Sequence, residues 1–136
     1  MIYGIGCDVC AVARMEKTLA GPHGAAFARR VFGPGELAAL GLAADTQAPP
    51  AMTPKRAASA AADFAAKEAF LKAAGVGLAG GFALREIEAV RLASGAPAYR
   101  FAGAAAAWVE RSGLRAHLTL SHDGGVAMAV CLLEES

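Results

Sequence analysis

Residues 53 to 75 constrain the fold more than any other part of the chain. Thr53 can cap a helix, Pro54 suits its first turn, and Gly75 ends it. Nearly everything between is alanine, the strongest helix former. The pattern predicts one long helix from Pro54 to about Ala74, with Phe64 and Leu71 as core anchors seven apart on one side. A chain of 136 residues is long enough for one proper core, and this is its one long helix.

The other segments are short. Met1 to Val9 is apolar, interrupted by glycines, and reads as a buried strand. Ala11 to Leu19 carries Val12, Met15 and Leu19 at helical spacing. Ala25 to Phe32 reads as a second helix, and Pro34 opens a third from Glu36 to Leu42. Ala43 to Thr53, with Pro49 and Pro50, reads as a mobile loop. Gly75 to Phe82 contains G-x-G and G-G pairs. No strand feeds them and no lysine-bearing helix follows, so a helix cap and flexible connection fit better than a nucleotide loop. Leu84 to Leu92 and Pro97 to Phe101 read as a hairpin turning at Ser94-Gly95. Ala104 to Arg111 reads as a helix burying Trp108, and Leu114 to Leu120 and Gly125 to Leu133 as two strands. Strands and helices without regular alternation indicate an α+β fold, with a mostly antiparallel sheet against one long and several short helices, over a single domain spanning 1–136.

Alanine supplies much of the 56% hydrophobic content, so each buried residue contributes little and the core is thin. Oligomerisation is one remedy. A net charge of +1 gives no global field for nucleic acid or membrane. No apolar run approaches the roughly 18 residues that span a bilayer. The start of the chain has no basic leader, which argues against a signal peptide and for the cytoplasm. Cys7, Cys10 and Cys131 are an odd set for a disulfide framework. Cys7 and Cys10 form a C-x-x-C pair, but a zinc site needs a second pair that the chain does not supply, and small apolar residues are the plainer reading.

Three polar islands interrupt these apolar surroundings. Asp8 lies inside the first strand, where a carboxylate must be paired, bind a cation or cap the next helix. Glu68 and Lys72 share one face of the long helix, as do Asp63 and Lys67, and either pair can be a simple surface ion pair. Ser121-His122-Asp123 cannot form a triad among themselves, because adjacent side chains diverge. They read either as a turn built on Asp123-Gly124 or as a turn whose hydroxyl and imidazole hold phosphate oxygens. A carboxylate beside an ammonium is suited to holding a metal next to a phosphate, so the islands together suggest a metal-dependent phosphate-handling site.

With Met1-Ile2-Tyr3-Gly4-Ile5-Gly6 followed by Asp8, with Phe64-Ala65-Ala66-Lys67-Glu68-Ala69-Phe70 and Lys72-Ala73, and with Leu120-Ser121-His122-Asp123, the chain resembles the bacterial holo-acyl-carrier-protein synthases, the short single-domain phosphopantetheinyl transferases. Order and spacing match over nearly the whole length. The resemblance implies Mg2+-dependent transfer of the phosphopantetheine arm of coenzyme A to a serine of an acyl carrier protein, releasing adenosine 3′,5′-bisphosphate. It implies Asp8 and Glu68 as magnesium ligands, Lys72 on the same phosphates, and Glu68, directly or through metal-bound water, as the group that helps deprotonate the serine. Lys67, Ser121 and His122 would lie along coenzyme A, and Asp123 would shape the turn. The family also implies a homotrimer with its site between subunits, and an acidic carrier docking on Arg14 and Lys17 with help from Arg29 and Arg30.

One departure stands out. The family usually has arginine before the Phe64 position, near the nucleotide; here Asp63 would repel a 3′-phosphate, unless Arg56 or Arg85 substitutes. The second helix is also less basic than the family's. The carrier is therefore either the fatty-acid one or a dedicated polyketide or secondary-metabolite one. Two other classes compete with the transferase: another coenzyme A or nucleotide-phosphate enzyme on the same scaffold, and a non-catalytic carrier-binding subunit. Retention of the metal and phosphate residues disfavours the last.

Overall fold

The computed structural model describes residues 1–43, 51–77 and 81–136. Most of the expected mobile loop, and the middle of the glycine-rich connection, lie outside the described residues. The chain runs β1 (Ile2–Ala11), α1 (Val12–Ala20), α2 (Gly24–Val31), α3 (Pro34–Leu40), α4 (Pro54–Ala74), β2 (Ile87–Arg91), β3 (Pro97–Phe101), α5 (Gly103–Ser112), β4 (Leu114–Asp123) and β5 (Val126–Glu135). β1, β5 and β4 form one antiparallel sheet in that order, and β2 and β3 form a separate hairpin. This is the α+β architecture that the pattern implies.

α4 forms between the expected caps. The Thr53 side chain accepts a hydrogen bond from the Arg56 backbone N–H at 3.1 Å, and Gly75 takes the left-handed conformation, with φ 76°, at the other end. α4 packs on β1 and β5 on one side and reaches β2 on another, so its alanines are buried almost all round. Gly4 and Gly6 explain how close it comes to β1. A Cβ on Gly4 would overlap the carbonyl oxygen of Ala73, and one on Gly6 that of Ala69. The helix therefore rests backbone on backbone, and β1 must be bare there.

Phe70, fully buried, proves to be a larger core anchor than Phe64, which is half-buried beside Phe27. It is ringed by Phe82, Tyr99, Phe101 and Trp108, with ring centroids 4.8 to 6.2 Å away. Trp108 itself is only half-buried.

Two expected boundaries shift. Leu84–Glu86 forms a 3-10 turn before β2, because Glu86 accepts from the backbone N–H of Ala83 at 2.9 Å and of Ala104 at 3.1 Å. Ser121 to Asp123 continue β4, and the connection to β5 is Gly124-Gly125 alone, with φ of 58° and 80°. A type I′ two-residue hairpin turn has positive φ at both positions, which this glycine pair adopts without strain.

Candidate active site

Strand alternation decides which side chains of β1 meet α4. Gly4 and Gly6 face the helix, and Asp8 continues that face just where the glycine floor ends. Residues 68 and 72 are one turn apart on the overlying helix. Lys72 Nζ donates to Asp8 Oδ1 at 3.0 Å and to the Cys7 carbonyl at 2.9 Å. The Asp8 side chain is 18% exposed and that of Lys72 55%, so this is a cleft edge and not an interior pair. Lys72 thus pairs with Asp8 and not with Glu68 as a helix-surface partner.

Glu68 is held above the usual carboxylate range, first by partial burial and then by the negative charge of Asp8, with Lys72 opposing both. The Lys72 ammonium is held more firmly than usual, chiefly by its hydrogen bond to Asp8. Two carboxylates that feel each other beside one ammonium make a site that gains from a further cation. The donors are hard oxygens. Among the described residues no cluster of three or more His, Cys, Asp or Glu forms a closed metal cage. Asp8 and Glu68 are the oxygen donors that could hold such a cation; magnesium takes one or two carboxylates together with water and phosphate oxygens.

Lys67 requires a correction. The resemblance puts it along the phosphates of coenzyme A, but the fold buries it completely. Its ammonium donates to Glu36 Oε1 and, at 2.6 Å, to the carbonyl of Ile87. One residue along a helix turns the side chain by about 100°, so Lys67 points into the protein where Glu68 points to the cleft. Asp63, a helical turn earlier, stands near Glu36, Lys67, Glu88 and Arg91. Burial first, and the Glu36 charge next, push its carboxyl up to about 7. Asp63 therefore belongs to this inner network and not to the Asp8–Glu68 cleft. Of the two arginines considered as substitutes, Arg56 donates to the Ala51 carbonyl at 2.6 Å and lines a cavity of about 210 Å³ with Lys55 and Ser59. Arg85 is exposed on the 3-10 turn.

Ser121 and His122 are not brought to Asp8 within one chain. They lie on β4, two strands from β1, in register with Met128 and Ala127 of β5. Two strand spacings amount to roughly 10 Å. Ser121 also faces the side of the sheet away from α4, the side of Val9 and Met128. That face is apolar and open: Ile5 is 65%, Val9 59% and Met128 40% exposed. Arg14 and Lys17 are exposed on α1, directly after the Asp8 strand, and Arg29 and Arg30 are exposed on α2. Glu36 is the residue that reading the sequence missed. Its sequence neighbours Gly33-Pro34-Gly35 signal only a helix start.

Comparison with known proteins shows the family of the chain. Residues 4–131 match the family model of the 4'-phosphopantetheinyl transferase superfamily. The chain belongs to that superfamily. It is 40% identical to a holo-[acyl-carrier-protein] synthase of Acidovorax sp. (strain JS42), over 99% of both chains. The crystal structure of holo-[acyl-carrier-protein] synthase from Neisseria meningitidis superposes with a TM-score of 0.82 at 33% identity, covering 99% of this chain and 100% of that one. The Bacillus anthracis synthase, solved in complex with CoA (3',5'-ADP), superposes with a TM-score of 0.76 at 27% identity, covering 100% of this chain and 99% of that one. This phosphopantetheinyl transferase is thus an enzyme of the group-transfer kind. Among its described residues no helix is long and apolar enough to cross a membrane.

Proposed function

We propose that this transferase moves the 4′-phosphopantetheine arm of coenzyme A to a serine hydroxyl of an acyl carrier protein, with adenosine 3′,5′-bisphosphate as the leaving group. The observation that carries the reading is the Asp8–Lys72 pair beside Glu68 at the end of the glycine floor. Relatives named for this reaction, and one solved with coenzyme A, support the substrate pair.

The residues divide the work by position. Asp8 and Glu68 would hold magnesium, which supplies charge neutralisation for the pyrophosphate when bound. Lys72, anchored by Asp8 and the Cys7 carbonyl, presents an ammonium to the same phosphates. Glu68 accepts the proton of the incoming serine. Its place beside Asp8 and Lys72 sets a carboxylate where a serine hydroxyl can reach the same phosphates. The serine oxygen bonds to the phosphorus that carries the pantetheine, and the bond to the bisphosphate oxygen breaks.

The open sheet face supports a homotrimer. Large aliphatic side chains as exposed as Ile5 and Val9 gain from a second copy covering them. Such packing would set Ser121 and His122 of a neighbouring copy along the coenzyme A bound at Asp8. Arg14 and Lys17 would receive the acidic carrier.

Mass spectrometry of an apo carrier incubated with the protein, coenzyme A and magnesium tests this reading. A gain of one phosphopantetheine arm is expected. Asp8→Ala and Glu68→Ala should each slow it by about two orders of magnitude or more. No gain with several carriers, or full activity in metal-free protein, would refute it.

A further inference from the structure

The Glu36–Lys67 pair is the most enclosed polar feature among the described residues. Both side chains are inaccessible to solvent. Glu36 Oε1 accepts from Lys67 and, at 3.0 Å, from the backbone N–H of Gly33, while Oε2 accepts from the N–H of Ala89 at 3.0 Å. Lys67 completes its bonds at the Ile87 carbonyl and lies 5.6 Å from the centre of the Phe32 ring. Burial works against both charges, raising Glu36 and lowering Lys67, and each charge opposes the shift of the other. With three donors on its two oxygens, Glu36 fits the node as a carboxylate, since a proton of its own would have no acceptor.

This node joins the start of α3, the strand β2 and the middle of α4. It sits on the helix where directional contacts are otherwise scarce. The buried faces of α4 are mostly methyl groups: Ala57, Ala60, Ala61, Ala65, Ala66 and Ala69 are all fully enclosed. Such methyl surfaces bury area without fixing rotation, and the large side chain that does key into a hole, Phe70, lies one turn beyond Ala66 and Lys67. Hydrogen bonds also fix rotation. Tyr99 adds a second tether one residue away, its hydroxyl donating to the Ala66 carbonyl at 2.6 Å. On the opposite side, Ala69 and Ala73 rest on Gly6 and Gly4. Glu68 lies between these two sets of restraints.

We infer that Glu36 and Lys67 are positioning residues for the transfer reaction: the buried pair locks the rotation of α4 so that Glu68 faces Asp8 across the cleft. Neither touches substrate; both act through Glu68. The inference rests on the reading above that Glu68 works in the reaction. It predicts a loss different from that of a residue that merely holds the fold together. A helix rotated by a small angle leaves the protein folded and the carrier bound but misplaces the Glu68 carboxylate, and a shift of order 1 Å at a reacting group costs up to about a hundredfold.

The experiment compares Lys67→Met, Glu36→Gln, Leu114→Ala and Glu68→Ala in the full-length protein. Leu114 is buried at the far end of β4 and serves as a control for lost stability. Urea titration gives the folded fraction, and kcat and KM are measured for coenzyme A and carrier where each variant is fully folded. Lys67→Met should lower kcat per folded molecule by at least about tenfold, with both KM values within about twofold. Glu36→Gln, which keeps the shape of the node, should show the same pattern more mildly, and it decides the question if Lys67→Met does not fold. Leu114→Ala should lose stability and keep its kcat. Unchanged kcat per folded molecule in the node variants overturns the inference. So does a change confined to the KM for coenzyme A, which would restore Lys67 to the phosphates. If Glu68→Ala is itself fully active, the failure lies in the reading of Glu68 and not in the node.

Discussion

Asp63→Asn should stabilise this protein at neutral and alkaline pH and do little in acid. An ordinary aspartate loses its proton near 3.8, whereas Asp63 holds its own up to about 7 in the folded chain. Between those values the folded protein carries a proton that unfolding releases, so stability falls as pH rises from about 4 to about 7. Above that window both states are ionised and the full cost remains. Below it both are protonated and the cost vanishes. A displacement of about 3 pKa units, at 1.36 kcal/mol each, sets a ceiling of about 4 kcal/mol. Relaxation around a half-buried group should leave about half of that. Asparagine keeps the shape and cannot ionise, so it removes the cost. Urea titration of both proteins at pH 5, 6, 7 and 8, at one fixed protein concentration, gives the difference directly. The gain should grow from about 0.8 kcal/mol at pH 5 to about 2 kcal/mol at pH 8. A gain independent of pH, or a loss at pH 8, would refute the placement of Asp63 among Glu36, Glu88 and Lys67.

Gly6→Ala should lower stability by about 1–3 kcal/mol and cut transfer sharply, because the new Cβ meets helix backbone and lifts α4 from Asp8; chemical denaturation and the transfer assay read the two effects. Arg14→Glu should raise the KM for carrier and leave that for coenzyme A nearly unchanged, with the difference shrinking as salt is added; equal effects at all ionic strengths would point to docking elsewhere. Val9→Glu places a charge on the open sheet face and should convert the proposed trimer to monomer in light scattering, with loss of activity; a monomeric wild-type protein with full activity would contradict the assembly.

Local chemistry made α4 legible, because capping by Thr53, Pro54 and Gly75 depends on neighbours in sequence. The link between Asp8 and Lys72 was half legible. Both stood out as charges in apolar surroundings, but their contact needs β1 to cross under α4, and only Gly4 and Gly6 hinted at such an approach. Lys67 could not be read correctly. Beside Glu68 in a charged stretch it looks like a second phosphate ligand, and its burial depends on Glu36, 31 residues earlier. A separation of similar size from Glu36 hid the true surroundings of Asp63. Asp123-Gly124 is a good turn pair and suggests that Ser121 and His122 stand in a turn, yet Gly124-Gly125 is better and the ladder runs on to Asp123. Long-range burial, and competition between adjacent turn signals, are what one-dimensional patterns lose.

The bare floor of β1 also has a mechanical consequence. Where helices sit on sheets through interleaved side chains, rotamers form a soft layer that absorbs small displacements. Here, at Gly4 and Gly6, that layer is missing, and peptide groups of α4 bear directly on the strand. The spacing of Asp8 from the overlying helix turn is then set by direct van der Waals contact between backbones, and close-packed contacts of that kind yield little to pressure. A push on α4 against the strand therefore moves β1 with it, while rotation of the helix about its own axis is left for the tethers on its other side to hold.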